Sequence, residues 1–537
     1  MSFFLNPSIA CDYYKAGHPW MQPTGMETVY ATWTARSFKH HKDCPKTVVF
    51  GHQYTIREWF IDFFNENFFK QPIEDLEKEF NEMMMESFNP RYADFSKFKA
   101  LHELGYLPIA IYGVPEGTLL PVGIPDHVIF NTDKHFAWLP QYLEDVWSAN
   151  NWLPSTSATT AYYRRKIIEP YAEQMSTVPN LAKHMCGDFS LRGHTSLQAG
   201  CISGAAHLLV FDRTATIGSN ALLAKYYGAD LFDEVPGMGT PSLEHSVVEQ
   251  GIAWFKHRIM NGDIPEYMRP YLNKATMDGN WEINLLAEMC FILYLITEVQ
   301  PTGMMTYVSD TYDYWSVVSK ILPVIKDAIL NRSGCFSVRP DSGNPVHIIC
   351  GDPALQDCDV FSDDYDQPER IGTLRMLFKI FGGEANEKGF MVLPPQIRMI
   401  YGDAITPEIT KAVCEWCLEQ RISIENLAFG IGAYTYQYVT RDTRGYAIKA
   451  TDCIHKDFGE MPIYKQPKTD PGKKSPRGCV AVVKDPIHQN YMLVDGLTLE
   501  TSLKFPGNIM VKKFQDGEMF NQETIYQIRE RLDHEED

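Results

Sequence analysis

The chain of 537 residues carries 49 Lys and Arg against 68 Asp and Glu, a formal net charge of −19, with 45% hydrophobic and 13% aromatic residues. That length and composition belong to a folded protein with a large core, roughly two to four domains, and exclude a disordered chain. The acidic balance argues against general binding to nucleic acid or acidic membranes, so any local cluster of cations stands out against the background.

Twelve cysteines in a chain this long do not make a disulfide framework. The one CxxC, Cys414 and Cys417, lies in a helix-like stretch and reads as core packing. Residues 1–7 lack the basic region and long apolar run of a signal peptide. The most apolar segment, 283–296, is interrupted by Asn284 and Glu288 and is too short to span a bilayer. These features predict a reduced, soluble, cytoplasmic protein.

In chain order, the first 150 or so residues read as a mixed α+β unit. Ile56, Trp59, Phe60, Phe63 and Phe64 fall at helical spacing, as do Ile73, Leu76, Phe80 and Met83. Short strands punctuated by Pro and Gly follow at 109–112, 114–117 and 128–130, and 138–175 returns to a helical pattern. From about Asp188 short β-prone runs alternate with helices, and most runs end in Asp or Gly. The runs are 208–211 ending at Asp212, 306–308 ending at Asp310, 336–339 ending at Asp341, 397–401 ending at Gly402-Asp403, and 427–429 ending at Gly430-Ile-Gly432. Helices are expected between them at 220–227, 315–330 and 407–420. Repeated β-then-α units imply a parallel sheet, and their number favours an α/β barrel, which gathers Asp310, Asp341 and Asp403 on one face. The late Gly-Ile-Gly falls where barrels cradle phosphate with backbone N–H groups.

In Phe336-Ser-Val-Arg-Pro-Asp-Ser-Gly-Asn-Pro345, a β-prone run carries Arg339 to its end and then breaks. A fixed guanidinium and a carboxylate two residues apart suit an anionic group next to hydroxyls or a metal. Upstream, Glu244-His245-Ser246 follows a Gly-Met-Gly turn, and His245 is a candidate proton shuttle or nucleophile. Past residue 435 the alternation stops. Lys465, Lys468, Lys473, Lys474 and Arg477 then share a Pro- and Gly-rich loop with one carboxylate, either a solvated surface loop or a polyphosphate contact. An amphipathic helix is expected at 522–532.

The chain resembles the nicotinate/nicotinamide phosphoribosyltransferase family over nearly its full length. The matching pieces are Cys11-Asp-Tyr-Tyr14-Lys15, Gly113-Val-Pro-Glu-Gly117, Asp188-Phe189-Ser-Leu-Arg192-Gly193, Glu244-His245-Ser246, Ser309-Asp310, Arg339-Pro-Asp341-Ser-Gly-Asn-Pro345, Gly402-Asp403 and Thr440-Arg441-Asp442. The resemblance implies a type II phosphoribosyltransferase, with an irregular α/β barrel over 156–434 and an α+β domain built from 1–155 plus 435–537. It implies a homodimer with shared sites that transfers the phosphoribosyl group of 5-phosphoribosyl 1-pyrophosphate to nicotinamide in NAD salvage. Mg²⁺ and a stimulatory ATP are implied as well; the residues that hold the metal are left open.

By the same resemblance, Phe189 and the matching Tyr14 of a second subunit stack on the pyridine ring, with Arg192 and Ala215 at the base. His245 matches a phosphorylated histidine polarised by Asp310. Arg339 and the Gly432–Ala433 backbone match the 5′-phosphate site, Asp341 the ribose diol, and Gly402-Asp403 the ribose and magnesium side. Arg36, Arg441, Lys449, Lys465 and Lys473 match the pyrophosphate cage.

Three departures from the family pattern follow. Ala215 replaces an Asp that accepts a hydrogen bond from the carboxamide in nicotinamide-selective members, leaving Thr214 or Thr216 as substitutes. Ala433 replaces a phosphate-loop Gly, which matters if positive φ is needed there. Segment 256–281 reads as an inserted surface subdomain. The departures leave open nicotinate as the base, or a larger donor, ADP-ribose pyrophosphate, that would yield NAD directly.

Overall fold

The computed structural model describes residues 5–40, 42–277, 279, 281–355, 367–402, 404–466, 468–469 and 474–535; Asp403 and Lys473 lie outside this set. Six parallel strands pair in the order Arg213–Thr214, Cys186–Asp188, Leu427–Ile431, Ile397–Tyr401, Phe336–Arg339, Met305–Val308. Segment 238–242 bridges the two edge strands through parallel contacts of Arg213 with Met238 and Ser242 with Thr306. The sheet therefore curls into an irregular barrel, as the alternation of strands and helices implies.

Four of the five expected strands coincide with observed ones. The fifth does not: 208–211 forms the turn that ends helix Leu197–His207, and only Arg213–Thr214 is extended. A short apolar run that is buried all round has no periodicity to separate a strand from a helix end. The first barrel strand, Cys186–Asp188, was too short to announce itself. Segment 114–117 is likewise a turn, with the next strand at Leu119–Pro121.

A second, seven-stranded sheet takes strands from both chain ends: Met26–Thr34 lies between Ala447–His455 and Pro125–Asn131, and Val511–Gln515 pairs with Ile109–Gly113. Helices of the first 104 residues and the Phe and Trp residues at helical spacing bury one of its faces. The 32-residue helix Glu144–Met175 runs from this layer into the barrel's helical shell. Gly51, at φ 102°, lets the chain pass Pro154 of that helix, where a Cβ would lie 2.4 Å from the ring.

The segment read as an inserted subdomain is no separate body. It begins inside helix His245–Met260 and continues to helix Arg269–Met277, whose Ala275 is buried in the barrel's own core. Lys274 Nζ donates to Pro323 O at 3.2 Å on the neighbouring helix. Cys414 and Cys417 are both buried, and burial pushes the Cys414 thiol up to about 12, as expected of core packing. No helix among the described residues is long and apolar enough to cross a membrane.

Candidate active site

The turn after strand Phe336–Arg339 can be read residue by residue. Arg339 is the last strand residue and its backbone pairs with Ser309 (Ser309 N to Arg339 O, 2.9 Å). Ser342 Oγ donates to Asp310 Oδ2 at 2.5 Å, and Gly343 turns the chain at φ 88°. Asn344 caps the next helix by accepting from Val346 N and His347 N, and Pro345 opens it. Tyr401 Oη donates to the carbonyls of Ser342 and Gly343, tying the turn to the adjacent strand.

This rigid turn builds a charge relay in space. Arg339 Nη2 donates to Asp341 Oδ2 at 3.1 Å and Nη1 reaches Leu243 O at 3.5 Å. Asp341 N donates to Asp310 Oδ2 at 3.1 Å, and Asp310 Oδ1 meets His245 Nε2 at 3.0 Å. The Arg339 and Asp310 side chains are only 9% and 6% exposed, whereas His245 is 42% exposed. His245 is the first residue of a 16-residue helix, where the helix dipole favours negative charge. Its Nε2 is engaged by Asp310, so Nδ1 is the ring nitrogen left to react. Arg339 Nε is buried and has no hydrogen-bond partner among the described residues. Asp341 Oδ1 faces the Gly402 Cα, where a Cβ would come within 3.0 Å.

Phe189 follows the first barrel strand. Asp188 beneath it is fully buried and accepts from Ser190 N (2.9 Å), Ser190 Oγ (2.5 Å) and Thr216 Oγ1 (2.9 Å). The Arg339 guanidinium stands 5.9 Å from the Phe189 ring centroid. Phe189 and Ala215 line a cavity of about 250 Å³ in the barrel, with Thr214, Arg213, Thr306 and Met399. Thr216 is fully buried and spent on Asp188; Thr214 lines the cavity, its Oγ1 accepting from Thr216 N at 2.9 Å. Sequence reading missed Asp188 and Ser342 as positioning groups, although both lie inside the quoted family pieces.

The two glycine loops pack against each other. Phe189 N donates to Ile431 O at 2.8 Å, and His194 bridges Ser190 Oγ and Gln437 Oε1, each at 3.0 Å. Gly432 has φ −86° and Ala433 is the first residue of a short helix, so neither uses the left-handed region and alanine at 433 carries no backbone strain. Gly193 and Gly430 are tight points: a Cβ would lie 2.2 Å from Ala433 Cβ at the first, and 2.7 Å from Gly402 Cα and 3.1 Å from Phe189 Cδ2 at the second. Gly430→Ala is expected to cost about 1–3 kcal/mol by overpacking, and thermal melts of the variant check it.

The cations gather on the other sheet. Arg36, Lys449 and Lys474 line one small cavity with Thr32, Thr34 and Ser475. Burial holds the Lys449 ammonium below its ordinary value; Glu144 opposes this, while Arg36, Lys465 and Lys15 add to it. Lys474 joins a group for which the sequence pointed to Lys473, which lies outside the described residues. Lys465 is exposed nearby, and Arg441 is exposed and paired with Asp442 at 3.3 Å. Tyr14 is 57% exposed on the first α-helix, and Arg192, three residues after Phe189, is exposed.

The nicotinate phosphoribosyltransferase (NAPRTase) family model matches residues 184–495. A curated nicotinamide phosphoribosyltransferase of Acinetobacter baylyi is 33% identical over 99% of this chain and 98% of its own length. The chain belongs to the nicotinate phosphoribosyltransferase family. Among other members, nicotinamide phosphoribosyltransferase of Xanthomonas campestris is 26% identical over 99% of both chains. The crystal structure of human nicotinic acid phosphoribosyltransferase aligns with a TM-score of 0.53 at 15% identity, covering 97% of this chain and 93% of that one. Nicotinate-nucleotide pyrophosphorylase from Pyrococcus furiosus aligns at 0.50 and 13% identity, covering 99% and 97%. Those two likenesses speak for the phosphoribosyltransferase fold of the family.

Proposed function

We propose that this enzyme transfers the phosphoribosyl group of 5-phosphoribosyl 1-pyrophosphate to nicotinamide, giving nicotinamide mononucleotide and pyrophosphate for NAD salvage. The observation that carries the reading is the continuous chain Arg339–Asp341–Asp310–His245 at the barrel's strand ends. The full-length relatives named nicotinamide phosphoribosyltransferase support the choice of base.

In this reading Arg339 binds the 5′-phosphate with the Gly432–Ala433 backbone, and Asp341 orients the ribose hydroxyls. Phe189 holds the pyridine ring against the sugar so that its nitrogen faces C1, with Arg192 and Ala215 at the rim. The C1–pyrophosphate bond breaks as positive charge grows on the ribose, and the nitrogen's lone pair forms the new bond. Arg36, Arg441, Lys449, Lys465 and Lys473 stabilise the departing pyrophosphate. Since the cations belong to one sheet and Arg339 to the other, the reading includes a homodimer in which a second copy supplies Tyr14 and part of the cage.

Asp341, whose Oδ1 faces Gly402, would help hold a Mg²⁺ bound chiefly by phosphates and water; when bound, the ion neutralises pyrophosphate charge. ATP would phosphorylate His245 at Nδ1, and the helix N-terminus there favours the added negative charge. The barrel over 156–434, a second domain from 1–155 plus 435–537, and a cytoplasmic location complete the proposal.

Ala215 stands where nicotinamide-selective members carry an Asp, and Arg213 lines the same cavity along with Arg398 and Glu425, so nicotinate is the competing base. Incubating the enzyme with the donor, magnesium and each base, and identifying products by mass, decides between them. Nicotinamide mononucleotide is expected at the higher kcat/KM; a clear preference for nicotinate overturns the choice of base. NAD formed from nicotinamide and ADP-ribose pyrophosphate, with no product from the smaller donor, overturns the choice of donor.

A further inference from the structure

Away from the barrel, three strands converge on a group that the reaction does not use. Asp452 belongs to strand Ala447–His455, Glu460 to Gly459–Pro462, and Cys479 opens Cys479–Lys484. One ligand atom from each lies within 4.8 Å of the others. Asp452 is 1% exposed and Cys479 fully buried, with Cys479 Sγ 3.8 Å from Asp452 Oδ2. Asp452 Oδ1 is buried and has no hydrogen-bond partner among the described residues. Glu460 is held in place because its Oε1 accepts from Leu499 N at 2.7 Å.

Two carboxyls and a thiol in so small a space repel one another once ionised. Burial first, and then the Glu460 carboxyl, push Asp452 up to about 7; burial and both carboxyls push the Cys479 thiol far above its ordinary range. Among the described residues no Lys, Arg or His pairs with either carboxylate. A shared proton relieves part of this crowding, and a divalent cation relieves most of it.

We propose that Asp452, Glu460 and Cys479 form a Zn²⁺ site that clips together the strands flanking the basic loop. The donor set selects the ion: a thiolate excludes Mg²⁺ and Ca²⁺, while sulfur with two carboxylate oxygens suits Zn²⁺ with water in the fourth position. Tetrahedral bonds to sulfur and oxygen place those atoms about 3.6 Å apart, close to the 3.8 Å present. Binding displaces the thiol proton and the proton shared by the carboxyls, so affinity rises with pH.

The site's position gives it a role. Both feet of the loop hang from one residue: Thr451 O accepts from Ile463 N at 2.9 Å and from Gly478 N at 2.7 Å. Asp452 is the next residue in the chain, and Cys479 follows Gly478. The ion would stiffen the base of the loop that carries Lys465, Lys474 and Arg477.

The full-length enzyme, stripped with chelator and titrated with Co²⁺, tests the site. One equivalent per chain with a sulfur-to-cobalt charge-transfer band, displaced by Zn²⁺ and not by Mg²⁺, is expected. Cys479→Ser should abolish the band and weaken Zn²⁺ at least about 100-fold, while Cys453→Ser keeps both. Should Cys479→Ser fail to fold, Asp452→Asn is read the same way, with a weakened band, alongside the Tm of the unmodified enzyme with and without Zn²⁺. No stoichiometric band, a band that survives in Cys479→Ser or is unchanged in Asp452→Asn, or a Tm indifferent to Zn²⁺ overturns the proposal.

Discussion

Arg339→Ala is expected to lower kcat/KM for the ribosyl donor by two to three orders of magnitude, roughly, while the protein still folds. The guanidinium is almost enclosed, and its fork holds Asp341 with one nitrogen and reaches Leu243 O with another. Removing it leaves the Asp341 carboxylate beside Asp310 with no cation and takes away the phosphate ligand. Truncating one partner of a buried charge pair costs about 2–5 kcal/mol, and each 1.36 kcal/mol is about tenfold in rate. Arg339→Lys should recover only part of the loss, because a single ammonium cannot span Asp341, Leu243 O and a phosphate together. Initial rates against donor concentration, with circular dichroism as the folding control, measure this. Donor kinetics within about threefold of the unmodified enzyme would remove Arg339 from the phosphate site.

Asp310→Asn is expected to lower turnover by about 100-fold and to abolish stimulation by ATP. Asp310 does two things at once. One oxygen fixes the His245 ring, and the other accepts from Asp341 N and Ser342 Oγ, so the histidine and the Arg339 turn share one carboxylate. The amide keeps the shape but loses the charge that stabilises a cationic or phosphorylated imidazole, and it brings donors where acceptors are needed. His245→Ala separates the two roles: it should lose ATP stimulation and keep most basal transfer. Paired assays with and without ATP decide the matter. Stimulation that survives in either variant would detach His245 from the coupling.

Much of the site was legible because each residue lies at a local landmark. Arg339, Asp310, Gly402 and Gly432 stand at the ends of apolar runs, and a parallel barrel brings such ends together whatever the loops do. In the Arg339–Pro345 stretch the strand end and the turn were legible, because Pro340, Gly343 and Pro345 each act locally, while the Asn344 cap and the Ser342–Asp310 bond came only with the structure. Segment 208–211 was misread because burial on every side erases periodicity.

Alone, then, the sequence determined the alternation of strands and helices over most of the barrel, the family, and which residues reach four of the strand ends, because propensity and turn chemistry act over a few residues. Only the tertiary structure decided how those residues are spent. It showed Thr216 consumed by Asp188, Ala433 free of strain, Lys474 beside Arg36, and Asp452, Glu460 and Cys479 drawn to one point. Each of these depends on sheet register and on packing between segments far apart in the chain, and no local pattern encodes those distances.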